Sequence, residues 1–216
     1  MNTVSDKKDG LEPYKGKFIT FEGIEGVGKT TQLNLLADYL KNKHIPILVT
    51  REPGGTALGN EIRALLLSNQ YQNMSYMTEI LMMFAARAQH LTEIIYPALR
   101  AGTYVLCDRF TDSTYAYQGA GRGLDTTIIR QLEQLVQKTF RPNYTIILDA
   151  PPHVGLDRAK QRGHLDRIEQ EKLDFFERVR QAYVDRANQL PEQYCVIDAT
   201  QSIDVIHHNI IKTICL

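Results

Sequence analysis

The residues with the clearest chemical meaning form one segment, Gly23–Thr30, which reads GIEGVGKT and fits the pattern G-x-x-x-x-G-K-[ST]. It lies between a short apolar run, 17–22, and a helical pattern that begins at Thr31. A glycine-rich turn between strand and helix lets several backbone N–H groups point at one phosphate, at the positive end of the helix dipole. Lys29 would reach the outer phosphates of a nucleotide, and the hydroxyl of Thr30 would bind Mg²⁺. The segment therefore predicts a nucleotide-phosphate site.

The remainder of the chain predicts the sheet that would position this loop. Five short apolar segments, each too short for a helix, are separated by long helical patterns, which is typical of βαβ units. We expect one α/β domain over residues 17–216, with a five-stranded parallel sheet and helices on both faces. The predicted strands are 17–22, 45–51, 103–108, 144–149 and 194–198. The predicted helices are 31–43, 58–67, 78–99, 126–138, 154–162, 170–188 and 203–214.

Composition excludes several classes of partner. The 216 residues include 25 Lys and Arg against 25 Asp and Glu, so no overall charge favours binding to nucleic acid or to an anionic membrane. No apolar run approaches the ~18 residues of a membrane span. The first sixteen residues are polar, lack the apolar core of a signal peptide, and are predicted to be a mobile tail. We expect a cytoplasmic protein.

Two arginines are predicted to bind a second phosphate. In an open parallel sheet the ligand lies beyond the carboxyl ends of the strands, and Arg51 and Arg109 stand at two of those ends. A guanidinium group can hold a monophosphate through two parallel hydrogen bonds. Asp108 would hold Mg²⁺ or its bound water. Asp149 also ends a strand and competes for that role, although the Pro-Pro that follows indicates a structural turn.

Three further segments are open to two interpretations. The helix 78–99 is apolar over much of its circumference, which predicts contact with a second subunit, but burial within one chain competes closely. The glycine-rich segment 119–123 follows no strand and is interpreted as a flexible connection. The basic segment 158–167 fits a mobile lid that brings an arginine to the triphosphate, or else solvated helix ends. The first interpretation is favoured because the variable positions of the phosphate loop carry no basic residue.

Five motifs in order closely resemble the thymidylate kinase family. They read FEGIEGVGKTT from Phe21, TREPGGT from Thr50, AAR ending at Arg87, DRFTDSTYAYQG from Asp108 and LDRIE from Leu165. The resemblance runs from about residue 17 to the end of the chain. It implies a P-loop kinase fold, transfer of the γ-phosphoryl group of ATP to dTMP with Mg²⁺, a role in dTTP biosynthesis, and a homodimer formed through the helix around 78–99.

The resemblance also implies roles for individual residues. The carboxylate of Glu25 would lie near the sugar 3′-OH, and Arg51 and Arg109 would hold the dTMP phosphate. The base would be bound by Arg87, Thr114 and Gln118, while Tyr117 would lie against C2′ of the deoxyribose. Lys29, Asp108, Arg109 and one lid arginine would serve catalysis, and Thr30 and Asp108 the metal. The residues predicted to bind ATP are Gly23, Ile24, Glu25, Gly26, Val27, Gly28, Lys29, Thr30, Thr31, Arg158 and Arg162.

Two assignments within this pattern are less direct. The lid resembles the bacterial arrangement, for which Arg158, Arg162 and Arg167 are candidates and Arg162 is favoured. The family often has a phenylalanine stacked on thymine, four residues before the arginine that binds the base. That position is Met83 here, and Phe84, one residue later, is our predicted stacking residue. The residues leave open two alternative functions. The chain could be a nucleoside-monophosphate kinase for another base, or a nucleotide-sensing module without turnover.

Overall fold

The computed structural model describes residues 14–161, 163 and 165–214. Its five strands form one parallel sheet in the order β2-β3-β1-β4-β5, which confirms the predicted fold class. The strands are β1 (Phe18–Glu22), β2 (Ile47–Arg51), β3 (Tyr104–Asp108), β4 (Tyr144–Asp149) and β5 (Tyr194–Asp198).

Helices connect each strand to the next, and most lie within a few residues of their predicted positions. They are α1 (Lys29–Asn42), α2 (Ala57–Leu67), α3 (Tyr76–His90), α4 (Tyr96–Arg100), α5 (Thr111–Thr114), α6 (Thr126–Gln137), α7 (Pro152–Lys160), α8 (Leu173–Gln189) and α9 (Ile203–Ile214). A π-helical turn, Leu91–Ile95, joins α3 to α4, and a second π-helical segment, Tyr115–Gly121, continues α5.

Alternate residues of the buried strands face two separate apolar clusters. On β3, Leu106 belongs to the cluster that includes Leu36 of α1 and Val179 of α8. Its neighbours Val105 and Cys107 belong to the opposite cluster, with residues of the segment that joins α3 to α4. Since successive side chains of a strand point to opposite faces, helices cover both sides of the sheet.

The register of the strands brings the predicted site residues to one edge. Phe21 of β1 is paired with Asp108 of β3, and Arg51 of β2 is paired with the same Asp108. The phosphate loop follows directly after β1, the central strand. The chain segments that follow β1, β2 and β3, which carry the predicted site residues, therefore leave the sheet side by side.

The phosphate loop itself depends on glycine at a close approach between two backbones. Gly26 has φ +69°, and a Cβ atom built on it would lie 1.9 Å from the carbonyl oxygen of Gly155 in α7. Any side chain at position 26 would therefore force the loop away from α7. Gly28, at φ +93°, immediately precedes the first residue of α1.

The segment 119–123 differs from its predicted role as a flexible connection. Residues 115–121 are helical, and Gly121 lies so close to α8 that an added Cβ would be 2.5 Å from the ring of Phe175. Arg178 of α8 also donates hydrogen bonds to the carbonyl oxygens of Ala120 and Gly121. Tertiary packing therefore overrides the weak helix propensity of glycine.

The predicted tail is also partly packed. Tyr14 stacks on Tyr96 with ring centroids 5.9 Å apart, and the N–H of Gly16 donates to the carbonyl of Leu99. Residues 14–16 thus belong to the folded domain, and the prediction of a mobile tail is wrong for them. Residues 1–13 of that predicted tail lie outside the described part of the chain.

Candidate active site

One cavity of about 510 Å³ opens at the carboxyl ends of the strands. The phosphate loop and the start of α1 form one side, and the arginines at the ends of β2 and β3 form another. Most of the predicted site residues line it: Glu25, Gly26, Gly28, Lys29, Thr30, Thr31, Arg51, Arg87, Asp108, Arg109, Thr114, Tyr117, Gln118 and Arg158. The described lining does not include three loop residues: Gly23, Ile24 and Val27. The carbonyls of Gly23 and Ile24 accept hydrogen bonds from Lys29, and the side chains of Ile24 and Val27 are buried in the core.

Lys29 lies folded into the phosphate loop. Its Nζ donates to the carbonyl oxygens of Gly23 at 3.0 Å and Ile24 at 2.6 Å. Burial, followed by the positive charge of Arg109, lowers the pKa of Lys29 to about 8. A nearby triphosphate would favour the charged ammonium form, because opposite charge stabilises it. Lys29 is thus placed to act as a cation when the loop is filled.

Thr30 and Asp108 meet at the mouth of the loop. The Thr30 hydroxyl donates to Oδ2 of Asp108 over 3.0 Å, so two oxygen atoms of the kind that Mg²⁺ prefers lie together. The competing carboxylate, Asp149, is instead held by Arg180 through two hydrogen bonds of 2.7 Å. This geometry favours Asp108 for the metal role and gives Asp149 a structural one. Among the described residues there is no group of three His, Cys, Asp or Glu side chains that could hold a metal by themselves.

Arg109 adopts an unusual backbone conformation that directs its side chain at the phosphate loop. It has φ +71°, which is uncommon for a residue with a Cβ and often marks a functional position. Its Nη1 donates to the carbonyl of Gly23 at 2.9 Å, and its Nη2 donates to Glu25 at 2.8 Å. The hydroxyl of Tyr117 donates to both carboxylate oxygens of Glu25, each at 2.8 Å. Arg109, Glu25 and Tyr117 therefore form one connected group on the cavity wall.

A buried carboxylate that was not predicted from the sequence, Glu22, holds the turn at Arg109 through hydrogen bonds. Glu22 is fully buried and accepts hydrogen bonds from the N–H of Phe110, the hydroxyl of Ser113 and the hydroxyl of Tyr183. Burial raises the pKa of Glu22 to about 7, and the nearby carboxylate of Asp112 adds to the rise. Glu22 thus ties the end of β1 to the residues that follow the strained Arg109 turn and to Tyr183 of α8.

An arginine that was not predicted, Arg63, lines the cavity beside Arg51 and Arg109. Arg63 of α2 donates through Nη1 to the carbonyl oxygen of Pro53, over 3.0 Å. Burial, together with the positive charges of Arg51 and Arg109, lowers the pKa of Arg63. Sequence reasoning missed Arg63 because it stands within an ordinary amphipathic helix pattern, without a strand end or a motif to single it out.

At the far end of the cavity, Arg87 is held in one orientation. Its Nε donates to Glu52 at 2.7 Å, and its Nη2 donates to the hydroxyl of Thr114 at 3.0 Å. Glu52 is in turn bonded to His90 at 3.0 Å. Arg87 lines the cavity, and its buried Nη1 has no hydrogen-bond partner among the described residues.

The prediction that Phe84 stacks on the base is wrong. Phe84 is buried in a cluster with Ile80 and Ile129, and it does not belong to the described lining of the cavity. Met83 lines the cavity instead. Successive residues of a helix point about 100° apart, and the observed orientation of α3 directs position 83, not 84, towards the cavity.

The predicted lid arginines have three different outcomes. Arg158 of α7 is exposed and lines the cavity. The favoured Arg162 lies outside the described residues. Arg167 is buried: its Nε donates to the carbonyl of Leu66 and its Nη2 to Glu79, so it is a structural residue in this conformation.

A phosphate loop facing a wall of arginines, on a parallel sheet of this order, defines a P-loop nucleoside-monophosphate kinase. Comparison with known proteins agrees. The family model described as thymidylate kinase matches residues 21–210. The chain is 52% identical to a thymidylate kinase of Pseudomonas putida and 54% identical to one of Ectopseudomonas mendocina, in both cases over 90% of this chain and 93% of the relative.

A crystal structure of thymidylate kinase from Ehrlichia chaffeensis superposes with a TM-score of 0.76 at 38% identity, covering 93% of this chain and 99% of the other. The chain belongs to the thymidylate kinase family. It is therefore a kinase, an ATP-dependent phosphotransferase. None of the described helices is long and apolar enough to cross a membrane.

Proposed function

We propose that this chain transfers the γ-phosphoryl group of ATP to dTMP, giving dTDP and ADP in the synthesis of dTTP, by direct attack within the single cavity described above. The observation that carries the proposal is that the phosphate loop and the arginines at the ends of β2 and β3 line the same space. An oxygen of the dTMP phosphate attacks the γ-phosphorus, and the bond from that phosphorus to the β-phosphate oxygen breaks. A bound monophosphate is already an oxyanion, so positioning and charge neutralisation suffice.

On the ATP side, the phosphates lie against the backbone N–H groups of residues 23–31. Lys29 neutralises the outer phosphates, and Arg109 stabilises the charge that moves to the β-phosphate oxygen as the bond breaks. The exposed side chain of Arg158 supports a role in a lid around residues 158–169. Arg162 remains our favoured lid residue. Residues 17–216, together with the packed residues 14–16, would work as one domain, and the nucleotide substrates favour a cytoplasmic location.

Mg²⁺ fits the oxygen atoms at the start of α1. The Thr30 hydroxyl and Asp108 lie 3.0 Å apart, and phosphate oxygens and waters would complete the ligands. Thr30 would bind the ion directly and Asp108 would hold a bound water. Bound Mg²⁺ neutralises part of the charge that develops on the phosphate oxygens.

On the dTMP side, the guanidinium groups of Arg51, Arg63 and Arg109 bind the monophosphate. Glu25 lies near the sugar hydroxyl, and Tyr117, fixed by its hydrogen bonds to Glu25, occupies the space that a ribose 2′-OH would need. A hydroxyl at that place would meet a ring instead of water, which favours deoxynucleotides.

The base lies between Met83 and the polar groups at the far end of the cavity. The guanidinium group of Arg87 would donate to a carbonyl oxygen of thymine, and Gln118 would bind its N3–H. Thr114 holds Arg87 through its hydroxyl, so it positions the base-binding donor. The thioether of Met83 covers the ring of the base.

A homodimer is proposed through the exposed side of α2 and α3. Met77 and Leu81 of α3 are 42% and 49% exposed, and Leu58 and Leu65 of α2 are 54% and 43% exposed, so apolar side chains form a contiguous candidate surface on two packed helices. Leu81→Arg should halve the mass measured by light scattering. Leu135→Arg, at a leucine of α6 that is 76% exposed, is the matched control. A Leu81→Arg protein of unchanged mass contradicts this surface.

The function is tested by assaying dTMP, dUMP, UMP and AMP side by side as acceptors for ATP. We expect dTMP to give the highest kcat/KM, and the ribonucleotides to be poor acceptors. A higher kcat/KM for AMP or UMP would show that the chain serves another nucleotide. No ADP formation with any of the four would indicate a sensor.

A further inference from the structure

A fully buried carboxylate, Glu79 of α3, contacts one of the base-binding residues and two arginines. Its Oε1 accepts a hydrogen bond from Nε2 of Gln118 over 2.7 Å. Its Oε2 accepts one from Nη2 of Arg167 over 2.5 Å, and Nε of Arg122 lies 3.5 Å from Oε1. Two guanidinium groups therefore compensate the buried negative charge, which would otherwise be costly.

The charge on Glu79 determines the orientation of the Gln118 amide. A carboxylate held by two guanidinium groups accepts hydrogen bonds and donates none, so only the NH₂ end of the amide can face it. The carbonyl oxygen of Gln118 must then point away from Glu79. Gln118 lines the cavity, so that oxygen is available to the ligand.

Arg87 supplies the hydrogen-bond donor that accompanies the carbonyl acceptor of Gln118. Gln118 follows Thr114 by four residues in a continuous helical segment, which places both side chains on one face. Thr114 accepts the hydrogen bond from Nη2 of Arg87, and Arg87 and Gln118 line the same cavity, so the guanidinium donors and the Gln118 carbonyl belong to the same end of it. A donor beside an acceptor matches a base with a carbonyl oxygen beside an N–H group. Thymine has this edge, whereas cytosine has an amino group beside a bare ring nitrogen.

We propose that Glu79 is a positioning residue that fixes the Gln118 amide and thereby makes the site select thymine over cytosine. The inference rests on the proposed function, in which the base lies against Arg87 and Gln118. Cytosine would place its unprotonated N3 against the Gln118 carbonyl oxygen, which leaves two acceptors facing each other. A buried polar mismatch of this kind is a strong source of discrimination.

The test is Glu79→Gln, with the ratio of kcat/KM for dCMP to that for dTMP as the readout. A glutamine can donate to the Gln118 carbonyl, so the amide can reverse and present N–H to N3 of cytosine. We expect the dCMP/dTMP ratio to rise at least about tenfold. The ratio for dUMP to dTMP should stay constant, because uracil and thymine share this edge. A merely structural role would lower all three efficiencies together and leave the dCMP/dTMP ratio unmoved.

Arg167→Gln is the matched control. It removes a partner of Glu79 but leaves the carboxylate on Gln118, so the dCMP/dTMP ratio should stay at the wild-type value. Because Glu79→Gln removes the carboxylate partner of the buried Arg167, the double variant Glu79→Gln/Arg167→Gln is measured as well, and it should show the same rise.

If the wild-type protein phosphorylates dTMP normally and the dCMP/dTMP ratio is unchanged in the Glu79 variants that fold, the proposed role of Glu79 is overturned. The proposed function is then unaffected. A rise in Arg167→Gln equal to that in the Glu79 variants also overturns the role of Glu79. Failure of the wild-type protein to phosphorylate dTMP refutes the proposed function itself.

Discussion

Replacing Glu22 with glutamine should change how the stability of the protein depends on pH. The pKa of Glu22 is about 7 in the folded protein, against 4.5 for an ordinary glutamate, chiefly because the side chain is buried. Folded Glu22 therefore keeps a proton in a pH range where unfolded Glu22 has lost it. The contribution of Glu22 to the free energy of unfolding falls as the pH rises from about 4.5 through about 7.

The size of the effect follows from the two pKa values. Each unit of pKa difference corresponds to about 1.4 kcal/mol, so the full loss is about 3 kcal/mol, of which about 2–3 kcal/mol lies between pH 5 and pH 8. Glutamine does not titrate. The unfolding free energy of Glu22→Gln, relative to wild type, should therefore rise by about 2–3 kcal/mol across that range, on top of a constant difference from altered hydrogen bonds.

The assay is urea unfolding followed by circular dichroism at pH 5, 6, 7 and 8 for both proteins. Glu192→Gln, which removes one carboxylate from an exposed position, is the control for the loss of a charge. If the difference between Glu22→Gln and wild type is the same at all four pH values, Glu22 does not titrate near neutrality. The inference that burial raises the pKa of Glu22 to about 7 would then be wrong.

Three kinetic and stability predictions concern the cavity wall. Arg109→Ala should lower kcat by about 100-fold or more while ATP affinity changes little, because its charge is needed most in the transition state; an unaltered kcat removes Arg109 from catalysis. Arg51→Ala should chiefly weaken dTMP binding, by tenfold or more in equilibrium titration, and an effect confined to kcat would contradict this role. Met83→Ala should raise KM for dTMP severalfold, whereas Phe84→Ala should mainly lower the free energy of unfolding, by about 3 kcal/mol; the reverse pattern would return the stacking role to Phe84.

Much of the fold was predictable because its signals are local. Short apolar runs separated by amphipathic helices define a parallel sheet, and the carboxyl ends of parallel strands share an edge. Arg51 and Arg109 could thus be placed beside the phosphate loop without coordinates. The helical state of residues 115–121 could not be predicted, since it depends on packing against α8, whereas glycine composition alone indicates a loop.

The parts of the site that the sequence missed depend on pairs distant in the chain or on the rotation of a helix. Glu79 and Arg167 are 88 residues apart, and no pattern connects them. Met83 and Phe84 are neighbours on α3, so choosing between them requires the rotation of the helix about its axis. Arg63 is an ordinary charged residue of an amphipathic helix until α2 is packed beside the cavity.

The most direct test of the central claim, that two phosphate-binding surfaces face one another in one cavity, uses a compound in which five phosphates link adenosine to thymidine. Steady-state inhibition is measured while each substrate is varied in turn. We predict competition with both ATP and dTMP, and a dissociation constant well below that of either substrate, because one molecule then fills both surfaces. Competition with only one of the two substrates would contradict the account.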